Sequence, residues 1–191
     1  MTSRAALVII DVLNEFDLEH PDPLIAAAQT AVPPIAHLRA AARVENIPVI
    51  YVNDNYGRWR DERNDLIAHL TDDACRGAQI ARALRPTDED YFVVKPEASG
   101  FYATTLPALL PRLGVSRLVL TGIAADICVL FTAADAHMRE YDLWIPANAV
   151  AAQSPDRVRW ALELMADGMD AEVRSTDDLC LVEWLADQQH Q

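Results

Sequence analysis

The feature that most constrains this fold is a set of short, unbroken apolar runs, each closed by a polar or charged residue. Residues 5–10 (Ala-Ala-Leu-Val-Ile-Ile) stop at Asp11, residues 47–52 at Asn53, residues 91–94 at Lys95 and residues 118–120, in a strand read from Arg117, at Thr121. A run without polar alternation has no face to give to water. Each therefore suits a strand covered on both sides, as in a parallel sheet between two layers of helices.

Helical patterns fill the intervals. Residues 24–46 are alanine-rich, with Ile35, Leu38 and Ala42 at turn spacing, and Pro33-Pro34 predicts a kink or a fresh helix start. Leu66, Ile67 and Leu70 mark a short helix, while residues 79–86 read as irregular. Residues 105–113 form a helix bent at Pro111, and residues 126–140 a helix apolar around much of its circumference. A fifth strand follows at 141–145. Ser154-Pro155 opens a helix that Gly168 stops, residues 171–173 form a short sixth strand, and Ser175 to Asp178 cap a last helix through Leu185. Residues 188–191 are expected to fray. The expectation is an α/β fold: a doubly wound, mostly parallel six-stranded sheet with helices on both faces, in a single domain over residues 1–191.

Composition narrows the function. A formal net charge of −13 argues against nucleic acid and anionic membrane surfaces as partners. No apolar run reaches the roughly 18 residues of a membrane span, and the N-terminal run, ending at Asp11, reads as a strand rather than a secretory signal. Three sparse cysteines (Cys75, Cys128 and Cys180) suggest a reducing cytoplasm without disulfides. No Cys-x-x-Cys or His-x-x-x-His spacing announces structural zinc.

Doubly wound sheets bind ligands beyond the carboxyl ends of their strands. Three ends here carry chemistry: Asp11, Lys95, and the turn from Thr121 to Cys128. Each has a plain structural reading. Asp11 can cap a loop, Lys95 can snorkel to water, Cys128 can be a small buried hydrophobe, and Gly122 can serve an ordinary strand-to-helix turn. Together they offer a thiol with a proton acceptor, a cationic neighbour and backbone N–H groups for an oxyanion. A helix start at Cys128 would also favour a thiolate. No histidine stands at a strand end, since His37, His69 and His137 fall on helical segments. Ser99 follows Lys95 but shows no base nearby in sequence. Cys75 and Cys180 read as structural.

Three motifs then carry a resemblance. They are Leu7 to Phe16 with Asp11, Glu15 and Phe16; Lys95-Pro96 followed by Ser99-Gly100-Phe101 and Thr104; and Thr121-Gly122 followed by Cys128-Val129. In this order, over nearly the whole chain, they resemble the isochorismatase-like cysteine hydrolase superfamily, which includes nicotinamidases and N-carbamoylsarcosine amidase. The resemblance implies a Rossmann-like three-layer sandwich and a triad with Cys128 as nucleophile, Asp11 as base and later acid, and Lys95 as electrostatic support. It further implies a cis peptide between Ile123 and Ala124, an oxyanion hole from the N–H groups of Ala124 and Cys128, and a pocket walled by Phe16 and Phe101. Asn55 and Trp59 join them as pocket candidates, with Arg58 to Arg60 either a lid or a solvated loop. Nicotinamidases carry Asp-x-His and a further histidine as metal ligands near the second strand. Here that region reads Asp54-Asn55-Tyr56, so no metal or other cofactor is expected. Relatives often carry threonine where Ala125 stands, which removes a hydroxyl that could orient substrate.

The expected function is a cysteine hydrolase cleaving a C–N bond of a small amide or ureido molecule through a thioester, assembled as a homodimer or homotetramer. Two alternatives stand beside it. One is an isochorismatase-type hydrolase of a non-amide bond with Cys128 a bystander, and the other a non-catalytic binding protein on the same fold.

Overall fold

The computed structural model describes residues 4–187, Arg4 by its backbone alone, so the expected fraying of residues 188–191 lies outside the described residues. Strands β1 (Arg4–Ile10), β2 (Val49–Asp54), β3 (Tyr91–Lys95), β4 (Val115–Ile123), β5 (Asp142–Trp144) and β6 (Val150–Ala151) pair in parallel throughout. Their order is β3-β2-β1-β4-β5, with β6 on the far end of β4. The chain thus winds outward from β1 to β3, then returns to the other side of β1, which leaves a crevice between the ends of β1 and β4.

The apolar runs explain the layers. Alternate residues of a strand point to opposite faces. In β1, Leu7 and Ile9 enter one core and Ala6, Val8 and Ile10 the other. The first core is closed by α1 (Asp22–Val44), through Leu24, Ala28, Ala31, Ile35, Leu38 and Ala42, with α2 (Arg63–Leu70), α3 (Ala78–Ala83) and α7 (Leu181–Ala186) around it. The second is closed by α4 (Leu106–Arg112), α5 (Leu130–His137) and α6 (Pro155–Met169). Among the described residues, no helix is long and apolar enough to cross a membrane.

Several local expectations are corrected. Helix α1 runs through Pro33-Pro34 as one element, with its buried stripe in phase on both sides. The carbonyls left without amide donors belong to exposed Gln29 and Thr30, where water can replace the lost bonds. Residues 78–83 are helical, because Ile80 and Ala81 find a core to dock in. The sixth strand is Val150–Ala151, pairing with Gly122 and Ile123, whereas Glu172 makes only an isolated bridge to Trp144. Gly168 lies inside α6, and Asp170, left-handed at φ 52°, ends the helix. The last helix starts later than Ser175 to Asp178 suggested: Cys180 is its cap, donating its N–H to Glu183 at 2.9 Å. The helix expected over 126–140 divides into a π-helical turn, Ala125–Val129, and α5. Val129, Ala133 and Ala136 face the core, while Ile127, Phe131 and Met138 are exposed.

Gly122 sits where β4 passes closest to β1. Its φ is 112°, and a Cβ there would overlap the Ile10 carbonyl oxygen. Both the left-handed backbone and the close approach exclude a side chain. Gly122→Ala should therefore lower stability by at least about 2 kcal/mol, read as a lower denaturant midpoint at unchanged slope.

Candidate active site

Strand register brings the polar strand ends to one edge. Ile10 lies opposite both Val52 and Gly122, and Asp54 lies opposite Lys95. The residues just past these positions therefore converge although they come from four strands. Lys95, on edge strand β3, reaches inward rather than out to water: it is 0% exposed. Its Nζ lies 2.8 Å from Asp11 Oδ2, 3.1 Å from the Glu97 carbonyl and 3.5 Å from Cys128 Sγ. Asp54 Oδ2 is at 3.7 Å. Asp11, at φ 50°, accepts the Asp54 backbone N–H on its other oxygen at 2.8 Å. The structure thus joins Asp11, Lys95 and Cys128, and the snorkelling alternative for Lys95 does not hold.

Cys128 sits in the π turn. Within it Ile127 and Val129 both donate to the Ala124 carbonyl, each at 3.1 Å, and Leu130 donates to the Ala125 carbonyl. The N–H of Cys128 lies in the opening turn of this helical stretch, where backbone N–H groups cluster. The Ile123–Ala124 peptide is cis, and among the described residues no hydrogen bond is donated by the Ala124 N–H. Asp126, buried beside Cys128, pairs with Arg157 of α6 at 2.9 Å and anchors the turn to that helix.

Electrostatics correct one expectation. The Cys128 thiol is pushed up to about 12, first by burial and then by the charge of Asp11, against the pull of Lys95. These effects outweigh the helix start, so at neutral pH Cys128 rests as a thiol beside a carboxylate. Burial also raises Asp11 above the usual carboxylate range, although Lys95, the Cys128 thiol and the Asp54 N–H all favour its charged form. Asp11 is therefore a stronger base than a solvated carboxylate. Burial disfavours the Lys95 ammonium, but Asp11, Cys128 and Asp54 together hold it above its ordinary value.

Phe16 is fully buried in the α1-side core, against Gly77, while Phe101 and Cys128 belong to the opposite core. The structure therefore places Phe16 and Phe101 in separate clusters, and the Phe101 ring lies under the Arg139 guanidinium at 4.9 Å. Asn55 is buried and accepts the Gly57 N–H at 3.0 Å, a local turn contact. Trp59 is 74% exposed. Cys75 is half-buried with its thiol 3.6 Å from the Asn14 carbonyl, Cys180 is exposed, and His69 pairs with Glu15 at 2.6 Å.

Sequence reading missed Asp54, Tyr56, Thr132 and Asp135. Asp54 carried a weaker form of the Asp11 signal, a carboxylate one residue beyond the Asn53 that closes an apolar run. Tyr56 packs its phenol beside Asp11, Asp54 and Cys128 and donates it to the Leu13 carbonyl at 2.8 Å. Thr132 lies one helical turn after Cys128. Its fully buried hydroxyl donates to the Cys128 carbonyl at 2.6 Å and accepts the Gly100 N–H at 2.9 Å. Ser99 donates to Asp135 at 2.5 Å. The carboxylate near Ser99 was invisible in sequence because it comes from α5. These two bonds fasten the segment after Lys95 to the helix that carries Cys128.

The family model described as the isochorismatase domain matches residues 5–178. The chain belongs to the isochorismatase family. It therefore stands among hydrolases, with amidases as named but distant relatives. An uncharacterized isochorismatase family protein of Bacillus subtilis, YaaI, is 38% identical over 174 residues, covering 91% of this chain and 95% of its own. N-carbamoylsarcosine amidase of Arthrobacter is 27% identical over 187 residues, covering 93% of this chain and 70% of that protein. The crystal structure of N-carbamoylsarcosine amidase from Thermoplasma acidophilum superposes with a TM-score of 0.71 at 30% identity, covering 93% and 99% of the two chains.

In this isochorismatase-family chain the Thr132 bonds can be tested directly. Thr132→Val keeps the shape but strands a buried N–H and frees the Cys128 carbonyl. Stability should fall by about 1–3 kcal/mol in denaturant titration, while Thr132→Ser should recover most of it.

Proposed function

We propose that this hydrolase cleaves a C–N bond of a small amide or ureido compound through a Cys128 thioester. The observation that carries the reading is the sharing of one buried ammonium by a thiol and a carboxylate, with Lys95 at 2.8 Å from Asp11 and 3.5 Å from Cys128. A raised carboxylate beside a neutral thiol supports a general-base role. Asp11 takes the Cys128 proton as Sγ attacks the carbonyl carbon. The oxyanion is held by the N–H groups of Ala124 and Cys128. Asp11 returns the proton to the leaving nitrogen, the C–N bond breaks, and water, deprotonated by Asp11, releases the acid and restores the thiol. Lys95 stays protonated throughout and stabilises the charged form of Asp11. The named amidases among its relatives support the bond type.

Cys128→Ala and Asp11→Asn should each lower kcat/KM across an amide and ureide panel by at least about a thousandfold, with circular dichroism unchanged. Intact mass under substrate should show an acyl adduct confined to Cys128. Amide hydrolysis that survives in Cys128→Ala without an adduct would overturn the thioester route, whereas an inert amide panel with vinyl-ether hydrolysis retained in Cys128→Ala would support cleavage of a non-amide bond with the thiol a bystander.

The pH dependence follows from the directions of shift. Attack needs Asp11 deprotonated, so kcat/KM should rise as pH climbs through the Asp11 pKa, with the midpoint above the ordinary 3.8. Because the thiol titrates only near 12, no second rise from thiolate formation is expected around pH 8–9. A pH–rate profile rising with a midpoint near a normal cysteine value would overturn the base assignment.

A further inference from the structure

We propose that Asp54 is a substrate-binding residue that selects molecules bearing an N–H donor, ureido or ammonium, on the side of the scissile carbonyl away from the leaving nitrogen. The inference rests on the amide-hydrolysing reading above. It begins with the donor count of Lys95. An ammonium has three N–H bonds, and three acceptors lie nearest to Nζ: Asp11 Oδ2, the Glu97 carbonyl and Cys128 Sγ, at 2.8, 3.1 and 3.5 Å. Asp54 Oδ2, at 3.7 Å, stands next to the charge without a hydrogen bond from it.

The rest of Asp54 is accounted for. Its Oδ1 accepts the Tyr56 N–H at 2.7 Å, and its own N–H goes to Asp11 at 2.8 Å. Capping that turn explains one oxygen and leaves the other open. Among the described residues, no hydrogen bond reaches Oδ2. The Asp54 side chain is 34% exposed, against 0% for Lys95 and 5% for Asp11, so it is the carboxylate of this cluster that a ligand can reach.

Position and charge then define what fits. Asp54 Oδ2 and Cys128 Sγ both lie within 3.7 Å of the same Nζ. In the proposed pose a carbonyl carbon held at Sγ turns one of its substituents toward Asp54. The leaving nitrogen must face Asp11 to be protonated, so the group at Asp54 is the carbonyl's other substituent. With the thiol neutral, two carboxylates against one ammonium give the cluster a formal charge of −1. A carboxylate or phosphate at that position would meet like charge, and a C–H group would leave the oxygen unpaired once water is displaced. An N–H donor satisfies both conditions.

Two isosteric pairs test this: N-methylurea against propanamide, and alaninamide against isobutyramide. Within each pair an N–H or ammonium replaces a C–H group. In Cys128→Ala protein, ligand-observed NMR titration should show the N–H member binding at least about tenfold more tightly. Adding Asp54→Asn, which keeps an acceptor for the Tyr56 N–H, should shrink the ratio to below about threefold. A larger effect in the alaninamide pair assigns an ammonium, and in the urea pair a ureido group. Equal binding within both pairs by the Cys128→Ala protein, or no measurable binding of either N–H member, overturns the proposal without reference to the Asp54 variant. So does an unchanged ratio in the Asp54 variant. Ammonia release by the unaltered protein separates the two readings. Discrimination in binding without release of ammonia leaves Asp54 as the recognition residue and removes amide hydrolysis, whereas release without discrimination does the reverse.

Discussion

A fully buried ammonium is the constraint on which this site depends. Taking such a charge out of water costs several kcal/mol unless its partners are close and well directed. Lys95 meets that condition with a carboxylate, a backbone carbonyl and a sulfur, all within 3.5 Å. Each comes from a different stretch of chain, so the ammonium acts as a hub. Asp11 has to sit at the end of β1 in a left-handed conformation, and Glu97 has to turn its carbonyl back. The π turn has to deliver sulfur rather than another side chain. Loss of any one partner would leave a buried charge short of a neighbour, and the others would have to move or admit water.

The sheet makes this convergence possible. An all-parallel arrangement puts every carboxyl-terminal strand end on one edge, and the return of the chain to the far side of β1 opens a crevice there. Two apolar layers hold the edge rigid, and shorter devices refine it. Gly122 lets β4 press against β1, Thr132 and Asp135 tie the segment after Lys95 to α5, and Arg157 ties the π turn to α6.

Much of this was legible in the sequence because it is written in local pattern. The apolar runs marked β1, β3 and much of β2 and β4, and their closing residues marked Asp11 and Lys95. Cys128 stood out as a thiol at a strand-to-helix turn. What was not legible depends on distance in the chain. Asp135 reaches Ser99 across 36 residues, and β6 is two residues long with no pattern of its own. The resting state of the thiol was misjudged for the same reason: a helix start is visible locally, whereas burial and the approach of Asp11 are not. Asp54 falls between the two. It stands just past the second apolar run, a local position, yet the neighbours that give it meaning, Lys95 and Asp11, come from other strands.

The π turn has a consequence of its own. A helix that opens with wide turns contains, in effect, one residue more than its regular continuation needs. Ala125 to Val129 carries that insertion, and α5 resumes at Leu130. Ala125 and Val129 at its two ends lie in the same core as Ala133 and Ala136 of the helix that follows. The sulfur is therefore aimed by a wide turn that is itself seated in the core and pinned to α6, so any drift of the segment before Cys128 would have to disturb the packing of Ala125 and the Asp126–Arg157 pair.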